Sequence, residues 1–320
     1  MHYRLLGKSG LSVSEIGFGA WGIGGATPGA TSYGNTNDAV SCAALKNALE
    51  QGINFFDTSN VYGYGHSERL IGKVFSKCRS DVIIATKVGF VDYVNPPDFS
   101  ADAIRLSVNG SLSRLGTDYI DLLQLHNPSA SFLLEHPGTL EELLRLQNSG
   151  KVHALGISVK SPDEALELLE LFPFTAVQAN FNMLDIRVLE CGLMEKLDVS
   201  EVGFIARTPM SFGFLSGSLT GEESFPPEDH RSRWSPEQIR LWVDGARDLH
   251  ACCIESAGAP PHQIALRFCL SYPQVSTTIV GMLNTEEVMI NVKASIAGSL
   301  SPRSCDRIET LHKTRRFIEG

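Results

Sequence analysis

The sequence lacks the signals that would place the chain on a nucleic acid or in a membrane. Its formal net charge is −9, and its basic residues are scattered apart from Lys313, Arg315 and Arg316. A phosphate backbone or an anionic lipid surface needs clustered cations. No apolar run approaches the ~18 residues of a membrane span, and the first residues do not follow the order of a secretion signal. We therefore expect a soluble, cytoplasmic protein that binds neither nucleic acid nor membrane.

The sequence also lacks the spacings that hold metal ions. Seven cysteines are spread along the chain without a C-x-x-C pair, and no H-E-x-x-H segment is present. Two of the cysteines, Cys252 and Cys253, are adjacent and cannot easily bridge each other. These patterns favour reduced thiols and predict no metal site.

What is present is an ordinary globular composition with a repeated β/α pattern. Hydrophobic residues make up 43% of the 320 residues and charged residues 20%. Short runs rich in Val and Ile alternate with longer amphipathic stretches, which is typical of β/α units and a parallel sheet. The pattern predicts strands at 16–19, 54–57, 82–87, 120–126, 154–158, 176–179, 203–207 and 277–280. It predicts helices at 39–51, 68–75, 101–115, 140–149, 162–169, 188–197, 242–257 and 285–294.

Eight strands, each followed by a helix, indicate an α/β fold of the (β/α)₈ or TIM barrel type, in one domain over residues 1–320. The segment before the first barrel strand has the pattern of a β-hairpin with a turn at Lys8-Ser9-Gly10, and we expect it to plug the barrel from below. Two long connections, 22–37 and 212–235, follow strands. Both should therefore lie on the face where barrel active sites are built.

The segment GFGAWG at 17–22 matches the G-x-G-x-x-G pattern of the open dinucleotide-binding fold. That fold needs the third glycine to open a helix whose N-terminus binds the pyrophosphate. Here the chain continues through Gly24, Gly25, Pro28 and Gly29, which do not support a helix. A glycine-permitted exit from a strand is the better interpretation.

Polar residues stand at the carboxyl ends of three successive predicted strands. Asp57, Lys87 and His126 end the second, third and fourth strands, and Tyr62 lies in the loop after the second. Each of them alone has a structural explanation, such as a satisfied core histidine or a solvated lysine. Because the carboxyl ends of barrel strands meet at one rim, the four together predict a catalytic site.

The sequence resembles the aldo-keto reductases over nearly its whole length. The stretches that carry the resemblance are GINFFDTSNVYGYGHSERLIGK from Gly52, IIATKVG from Ile83, DLLQLHNP from Asp121, GKVHALGIS from Gly150, VQANFN from Val177 and TPMSFGFLSG from Thr208. The resemblance implies a (β/α)₈ barrel that transfers hydride between a nicotinamide cofactor and a small carbonyl or alcohol. It implies that Asp57, Tyr62, Lys87 and His126 are the catalytic tetrad.

The resemblance also implies a cofactor site and a substrate pocket. Ser158 and Gln178 would hold the nicotinamide carboxamide, and Asn291 would contact the adenine. The full set implied for the cofactor is Gly19, Ala20, Trp21, Asp57, Ser158, Gln178, Arg207, Thr208, Pro209, Met210, Phe212, Gly281, Leu283, Glu287 and Asn291. The set expected for the substrate pocket is Trp21, Tyr62, Phe90, His126, Phe214 and Trp234.

The chemistry of the tetrad can be argued from its residue types. A free phenol titrates near ~10, so Tyr62 needs help to exchange protons at neutral pH. We expect the Lys87 ammonium to lower the pKa of this phenol, with Asp57 keeping the lysine charged and oriented. His126 would donate to the carbonyl oxygen and orient the substrate.

Three positions depart from the common family pattern. Val159 follows Ser158 where an asparagine often helps hold the carboxamide, and Arg207 replaces an aromatic residue. Leu283 replaces a basic residue that contacts the 2′-phosphate of NADP in many members, and Glu286 and Glu287 lie just beyond it. We therefore expect use of both NADP(H) and NAD(H) with weak preference.

Two other classes of function stay open at this stage. A catalytically slow or idle cofactor-binding sensor or subunit would keep the same fold, as in the related β subunits of voltage-gated potassium channels. A hydrolase or lyase barrel would need paired carboxylates at strand ends, which are not present. The pattern does not fix the substrate, and an oligomer is possible.

Overall fold

The computed structural model describes residues 1–29 and 31–318 of the chain. Its strands are β1 (Tyr3–Leu5), β2 (Ser12–Ser14), β3 (Ile16–Gly19), β4 (Phe55–Asp57), β5 (Ile83–Val88), β6 (Ile120–His126), β7 (Val152–Ser158), β8 (Ala176–Asn180), β9 (Gly203–Arg207) and β10 (Val275–Gly281). Its helices are α1 (Asp38–Glu50), α2 (His66–Phe75), α3 (Ala101–Leu115), α4 (Ala130–Glu135), α5 (Gly138–Asn148), α6 (Pro162–Leu171), α7 (Arg187–Glu190), α8 (Leu193–Val199), α9 (Pro236–Cys252), α10 (Pro261–Leu270), α11 (Thr285–Ala297) and α12 (Pro302–Thr314).

Eight parallel strands close into a barrel in the order β10-β3-β4-β5-β6-β7-β8-β9. This arrangement confirms the predicted (β/α)₈ barrel. Each of the eight predicted strands overlaps an observed one, and their ends differ by two residues or fewer. Strands buried on both faces give short continuous apolar runs, and that is why the sequence located them well.

The barrel interior is filled at its lower end by one apolar layer. Side chains from seven barrel strands meet in a single buried cluster: Phe55, Ala85, Leu122, Ala154, Ala176, Ile205 and Ile279. Side chains from so many strands can meet only inside the barrel. Because strand side chains alternate with a period of two, the residues two positions further along each strand also point inward, one layer higher.

The N-terminal hairpin of β1 and β2 closes the bottom of the barrel, as predicted. Its two strands are antiparallel, and Leu6 and Val13 join the inner apolar cluster. The backbone of Leu6 and Gly7 passes so close to β9 that a Cβ on Gly203 would lie 2.7 Å from both the Leu6 carbonyl carbon and the Gly7 nitrogen. Glycine at position 203 is therefore needed for the hairpin to pack against the bottom of the barrel.

The helices were predicted less accurately than the strands. Where the sequence predicted one helix at 188–197, the structure has two, α7 and α8. They are separated at Gly192, which adopts a left-handed φ of 79°. The helix predicted at 242–257 is α9, which begins earlier, after the Ser235 cap, and ends at Cys252. Helices α4, α10 and α12 were not predicted.

The glycine-rich segment after β3 does not open an α-helix. The chain continues from Gly19 into a short 3₁₀ turn over Gly22–Gly24. This confirms that the G-x-G-x-x-G match does not belong to an open dinucleotide-binding fold. In the described part of the chain, no helix is long and apolar enough to cross a membrane.

The hairpin plug gives a stability prediction with a built-in control. Leu6 is fully buried, whereas Leu5 next to it is 66% exposed. Leu6→Ala should lower the free energy of unfolding by about 2–5 kcal/mol, because it leaves a cavity under the barrel. Leu5→Ala should change it by less than about 0.5 kcal/mol. Denaturant unfolding measures both, and equal effects of the two substitutions would contradict the plug.

Candidate active site

A polar layer lies directly above the inner apolar layer. Asp57, Lys87, Gln124, Gln178 and Arg207 each follow a residue of the apolar layer by two positions, on β4, β5, β6, β8 and β9. The pleat therefore turns all five side chains into the barrel near the carboxyl ends of the strands. The sequence thus places a set of polar groups at the one rim where such folds build active sites.

Lys87 and Asp57 form a buried ion pair at the centre of this layer. Lys87 Nζ donates to Asp57 Oδ1 at 2.5 Å, to the carbonyl oxygen of Thr58 at 2.9 Å and to Tyr62 Oη at 3.3 Å. The other carboxylate oxygen, Oδ2, accepts from Gln124 Nε2 at 3.1 Å and Gln178 Nε2 at 2.8 Å. The structure therefore brings Asp57, Lys87 and Tyr62 together as expected.

The loop that carries Tyr62 is fastened to the loop after β3. A Cβ on Gly63, whose φ is +57°, would lie 2.1 Å from the carbonyl oxygen of Gly24, so only glycine permits this approach. Ser67 Oγ donates to the carbonyl oxygen of Ala20 at 2.8 Å and lies 2.8 Å from Thr58 Oγ1. These contacts fix the position of the phenol at the rim.

The electrostatics of Tyr62 correct our expectation from the sequence. Burial, the largest cause, raises the pKa of the Tyr62 phenol above its usual value. The Asp57 charge raises this pKa further, and Arg207 is the cation that opposes both. The Lys87 charge is matched by Asp57 at 2.5 Å, so it does not lower the phenol pKa as expected. The phenol is consequently protonated at neutral pH.

His126, the fourth residue of the predicted tetrad, also lies beside the phenol. Its ring centroid lies 6.2 Å from that of Tyr62 and 5.1 Å from that of Phe90, both edge-on. Ser59 Oγ lies 3.4 Å from Nδ1 and fixes that edge of the ring. Burial, with Lys87 and Arg207 adding to it, lowers the pKa of His126 well below its usual value. The imidazole is therefore neutral at pH 7.

On the other side of the rim, Arg207 and Gln178 converge on Ser158. Ser158 Oγ donates to Gln178 Oε1 at 3.1 Å and accepts from Arg207 Nη1 at 3.1 Å. Arg207 Nε donates to Asn180 Oδ1 at 2.8 Å, which holds the guanidinium in place. The side chain of Val159, by contrast, is buried in the apolar core.

Several residues of the site were not found from the sequence. Gln124 and Asn180 point into the polar layer from strand positions whose neighbours are apolar, so periodicity could have found them. Ser59 lies in a loop and Ser67 in the first turn of α2, and neither belongs to a recognisable pattern. Asn127 Oδ1 is buried and has no hydrogen-bond partner within residues 1–29 and 31–318.

Of the other positions expected to bind a cofactor, Gly19, Ala20 and Trp21 lie at the end of β3, and the rest lie at or after the ends of β9 and β10. Thr208, Ser211 and Phe212 have φ values of 54°, 43° and 57°, a strained run that is typical of functional sites. After β10, the Glu287 carboxylate accepts from the backbone N–H of Leu283 at 2.8 Å and from Asn284 Nδ2 at 2.9 Å.

The site residues fit an amide-bearing, elongated cofactor. The Ser158 and Gln178 side-chain oxygens and the unpartnered Asn127 Oδ1 offer acceptors at the rim, and the Arg207 guanidinium adds donors. A Cβ on Gly281 would meet nothing within 4 Å, so the exit from β10 borders open space. Leu283 Cδ2 would lie 2.7 Å from a Cβ on Gly22, so it packs on the loop after β3. Asn291 is buried on α11.

The two long connections meet beside the rim around His230. Ser32 and Asp229 form a β-bridge, and the backbone N–H of His230 donates to the carbonyl oxygen of Ser32 at 3.0 Å. The His230 ring lies 4.8 Å from Trp21 and 4.9 Å from Tyr33, measured between centroids. Neither of its ring nitrogens has a hydrogen-bond partner within the described residues.

Five of the six residues expected to line the substrate pocket fall into two groups, and Phe214 belongs to neither. Tyr62, Phe90 and His126 are brought together at the rim. Trp21 and Trp234 both contact His230 in the loop cluster. Phe214 is only 2% exposed and packs against Trp234 and Trp242, so it supports the loop 212–235 from behind.

The ligating side chains of the described residues are not arranged for a metal ion. Among residues 1–29 and 31–318, no three His, Cys, Asp or Glu side chains are grouped so as to hold an ion. All seven cysteines are free thiols.

Comparison with known proteins identifies a family for this architecture. A model of the Aldo/keto reductase family matches residues 15–313. L-galactose dehydrogenase from Arabidopsis thaliana is 32% identical over 323 residues, covering 99% of this chain and 94% of that protein. A probable voltage-gated potassium channel subunit beta from the same plant is 27% identical, and the match covers 98% of this chain and 98% of that protein.

A solved structure has the same fold over the whole chain. Aldo-keto reductase AKR11C1 from Bacillus halodurans, in its holo form, superposes with a TM-score of 0.81 at 29% identity. The match covers 99% of this chain and 98% of that one.

The loop cluster around His230 gives a pH prediction. Burial lowers the pKa of His230 from 6.5 to about 4; nearby Asp229 opposes this shift, and Arg231 adds to it. The unfolded histidine therefore binds a proton between pH 6.5 and 4 while the folded one does not, so acid in this window disfavours the folded state.

We expect His230→Phe to weaken the fall in unfolding free energy between pH 6.5 and 4, since phenylalanine fills the aromatic cluster without titrating. Denaturant unfolding at a series of pH values measures this. The difference between wild type and variant should be constant above pH 7 and change below it. Parallel curves down to pH 4 would contradict the prediction.

Proposed function

Since this chain belongs to the Aldo/keto reductase family, we propose that it is an NAD(P)(H)-dependent oxidoreductase that interconverts a carbonyl and an alcohol. Tyr62 is its proton donor and acceptor. The observation that carries this proposal is Lys87 Nζ, which contacts both the buried Asp57 carboxylate and the Tyr62 phenol. An arrangement of this kind positions one phenol oxygen for proton transfer at a rim that also offers amide-binding groups.

The cofactor would lie along the carboxyl ends of the barrel strands. Ser158 and Gln178 would hold the nicotinamide carboxamide, and the segments after β9 and β10 would hold the phosphates and adenosine. The nicotinamide ring supplies or accepts the hydride when it is bound. Burial of Asp57, Lys87 and Gln178 at the rim strengthens the polar contacts that orient the reacting groups.

The protein's own groups manage the proton. The phenol is protonated at neutral pH, and burial, which raises its pKa, keeps it so. It can give this proton to a carbonyl oxygen as that oxygen gains negative charge. In alcohol oxidation the same oxygen accepts the proton. Neutral His126 donates an N–H to the substrate oxygen and so sets its orientation.

The substrate we propose is a small aldehyde, ketone or sugar. Tyr62, Phe90 and His126 form an aromatic wall suited to an apolar face, and the face of a sugar ring is one such surface. L-galactose dehydrogenase, the relative named above, acts on a sugar according to its name.

A second candidate function is a slow or idle cofactor-binding subunit. The similarity to a probable potassium channel subunit beta favours it. Steady-state oxidation of NAD(P)H with a panel of aldehydes, ketones and sugars separates the two. Turnover with several carbonyls supports the enzyme, and tight cofactor binding without turnover supports the subunit.

The first prediction here concerns the proton donor. Tyr62→Phe should lower the rate of carbonyl reduction by about 10²–10⁴, the usual contribution of a positioned general acid. Cofactor affinity should stay nearly unchanged, because the phenol oxygen holds none of the proposed cofactor contacts. Steady-state kinetics and equilibrium cofactor titration measure the two quantities.

Tyr64→Phe is the matched control, since Tyr64 lies in the same loop but is 42% exposed. It should keep nearly wild-type turnover. The mechanism fails if Tyr62→Phe also turns over at the wild-type rate.

The second prediction concerns the choice between NADP(H) and NAD(H). Leu283 offers no cation to a 2′-phosphate, and Glu287 lies on the next turn. We expect the two cofactors to differ by less than ~100-fold in kcat/KM, which is below about 2.8 kcal/mol. Leu283→Arg should shift the ratio toward NADP(H) by about ten- to a hundredfold, since a charged hydrogen bond contributes ~1.5–3 kcal/mol.

Met289→Arg is the control for added charge alone, because Met289 is exposed on the neighbouring α11. It should shift the ratio much less than Leu283→Arg. A wild-type preference above about a thousandfold for NADP(H), unmoved by Leu283→Arg, would show that another cation binds the phosphate.

A further inference from the structure

Arg207 is a half-buried cation without a carboxylate partner of its own. It ends β9, and its side chain donates hydrogen bonds to two neutral oxygens, Asn180 Oδ1 and Ser158 Oγ. No salt bridge to Arg207 is found within residues 1–29 and 31–318. Burying an unpaired charge is costly, so such a residue calls for a functional explanation.

The neighbouring charges do not cancel that of Arg207. Asp57 is matched by Lys87 at 2.5 Å, and Asp185 is matched by Arg187 at 2.8 Å. The tetrad as a whole is therefore close to neutral, and Arg207 adds one positive charge to the rim. The field of this charge reaches the tetrad, because Arg207 acts on the pKa values of both Tyr62 and His126.

The guanidinium lies beside the place where the nicotinamide would be held. Arg207 Nη1 donates to Ser158 Oγ, the hydroxyl to which we assigned the carboxamide, and the same hydroxyl contacts Gln178. Within residues 1–29 and 31–318, the side-chain hydrogen bonds of Arg207 use Nε and Nη1, which leaves Nη2 as the donor for a carboxamide oxygen. Val159 contributes no such donor.

We propose that Arg207 makes the site bind the reduced nicotinamide cofactor more tightly than the oxidised one. The inference rests on the proposed function. The oxidised ring carries a positive charge and the reduced ring is neutral, so a fixed cation beside the carboxamide disfavours only the oxidised form. In a buried site this repulsion is weakly screened.

A consequence follows for the reaction on the protein. When the reduced form is bound tenfold more tightly than the oxidised form, the potential of the bound cofactor is more positive by about 30 mV. The internal equilibrium between the two bound states is displaced toward reduced cofactor and carbonyl product, which is the direction of alcohol oxidation. The equilibrium in free solution is unchanged.

The test is the ratio of two dissociation constants, Kd of the oxidised cofactor divided by Kd of the reduced one, in wild type, Arg207→Gln and Arg207→Lys. Equilibrium titration of the full chain with NAD⁺, NADH, NADP⁺ and NADPH measures the ratio without turnover. In wild type we expect a ratio of about ten or more. Arg207→Gln should lower it about tenfold, mainly through tighter binding of the oxidised form, and Arg207→Lys should keep it within about threefold of wild type.

Each outcome decides between the alternatives. A ratio that Arg207→Gln leaves unchanged, in a variant that still binds both forms, overturns the inference and leaves the proposed function standing. An equal fall in Arg207→Lys would assign the effect to hydrogen-bond geometry and overturn it too. If the wild type binds neither form, the proposed function fails and the inference fails with it.

A second variant covers the case in which Arg207→Gln does not fold. Arg207→Met keeps the side-chain length and removes the charge, and thermal unfolding identifies which variant is intact. A purely structural role for Arg207 would weaken the binding of both cofactor forms equally and leave the ratio unchanged, which would also overturn the inference.

Discussion

The buried ion pair between Lys87 and Asp57 is the interaction on which the site depends. Both side chains are almost completely buried, so removing either partner would strand a charge, which typically costs 3–5 kcal/mol. The pair also connects the two sides of the rim. Lys87 reaches the Tyr62 phenol, and the second oxygen of Asp57 holds Gln124 and Gln178. The proton-transfer side and the proposed cofactor side therefore share one anchor.

Much of this arrangement could be predicted, because in a barrel strand every second side chain points inward and its place along the strand sets its layer. Phe55 and Asp57, Ala85 and Lys87, and Ile205 and Arg207 are pairs two residues apart, and in each pair the first residue joins the apolar layer and the second the polar one. Strands of this kind are recognisable as short apolar runs, and their ends mark the rim. The tetrad could accordingly be assembled from strand ends and one loop tyrosine.

Other features could not be predicted, for identifiable reasons. The break at Gly192 depends on a left-handed backbone conformation that glycine permits but does not require. Trp21 and Trp234 both pack against His230, so the cluster brings together loops that are about 200 residues apart in the sequence. A local sequence pattern does not predict such a contact. The direction of the Tyr62 pKa was predicted wrongly because burial and the Asp57 charge both raise it, and both are set by the fold.

The central claim is that the buried Tyr62 phenol is the proton donor, and the pH dependence of kcat/KM for carbonyl reduction tests it most directly. Because burial raises the phenol pKa and lowers that of His126, neither group titrates near neutrality. We predict a rate that is independent of pH from about 6 to about 9. A rate that falls with an apparent midpoint near pH 7 on the alkaline side would contradict the account, because the donor would then be a group other than the buried phenol.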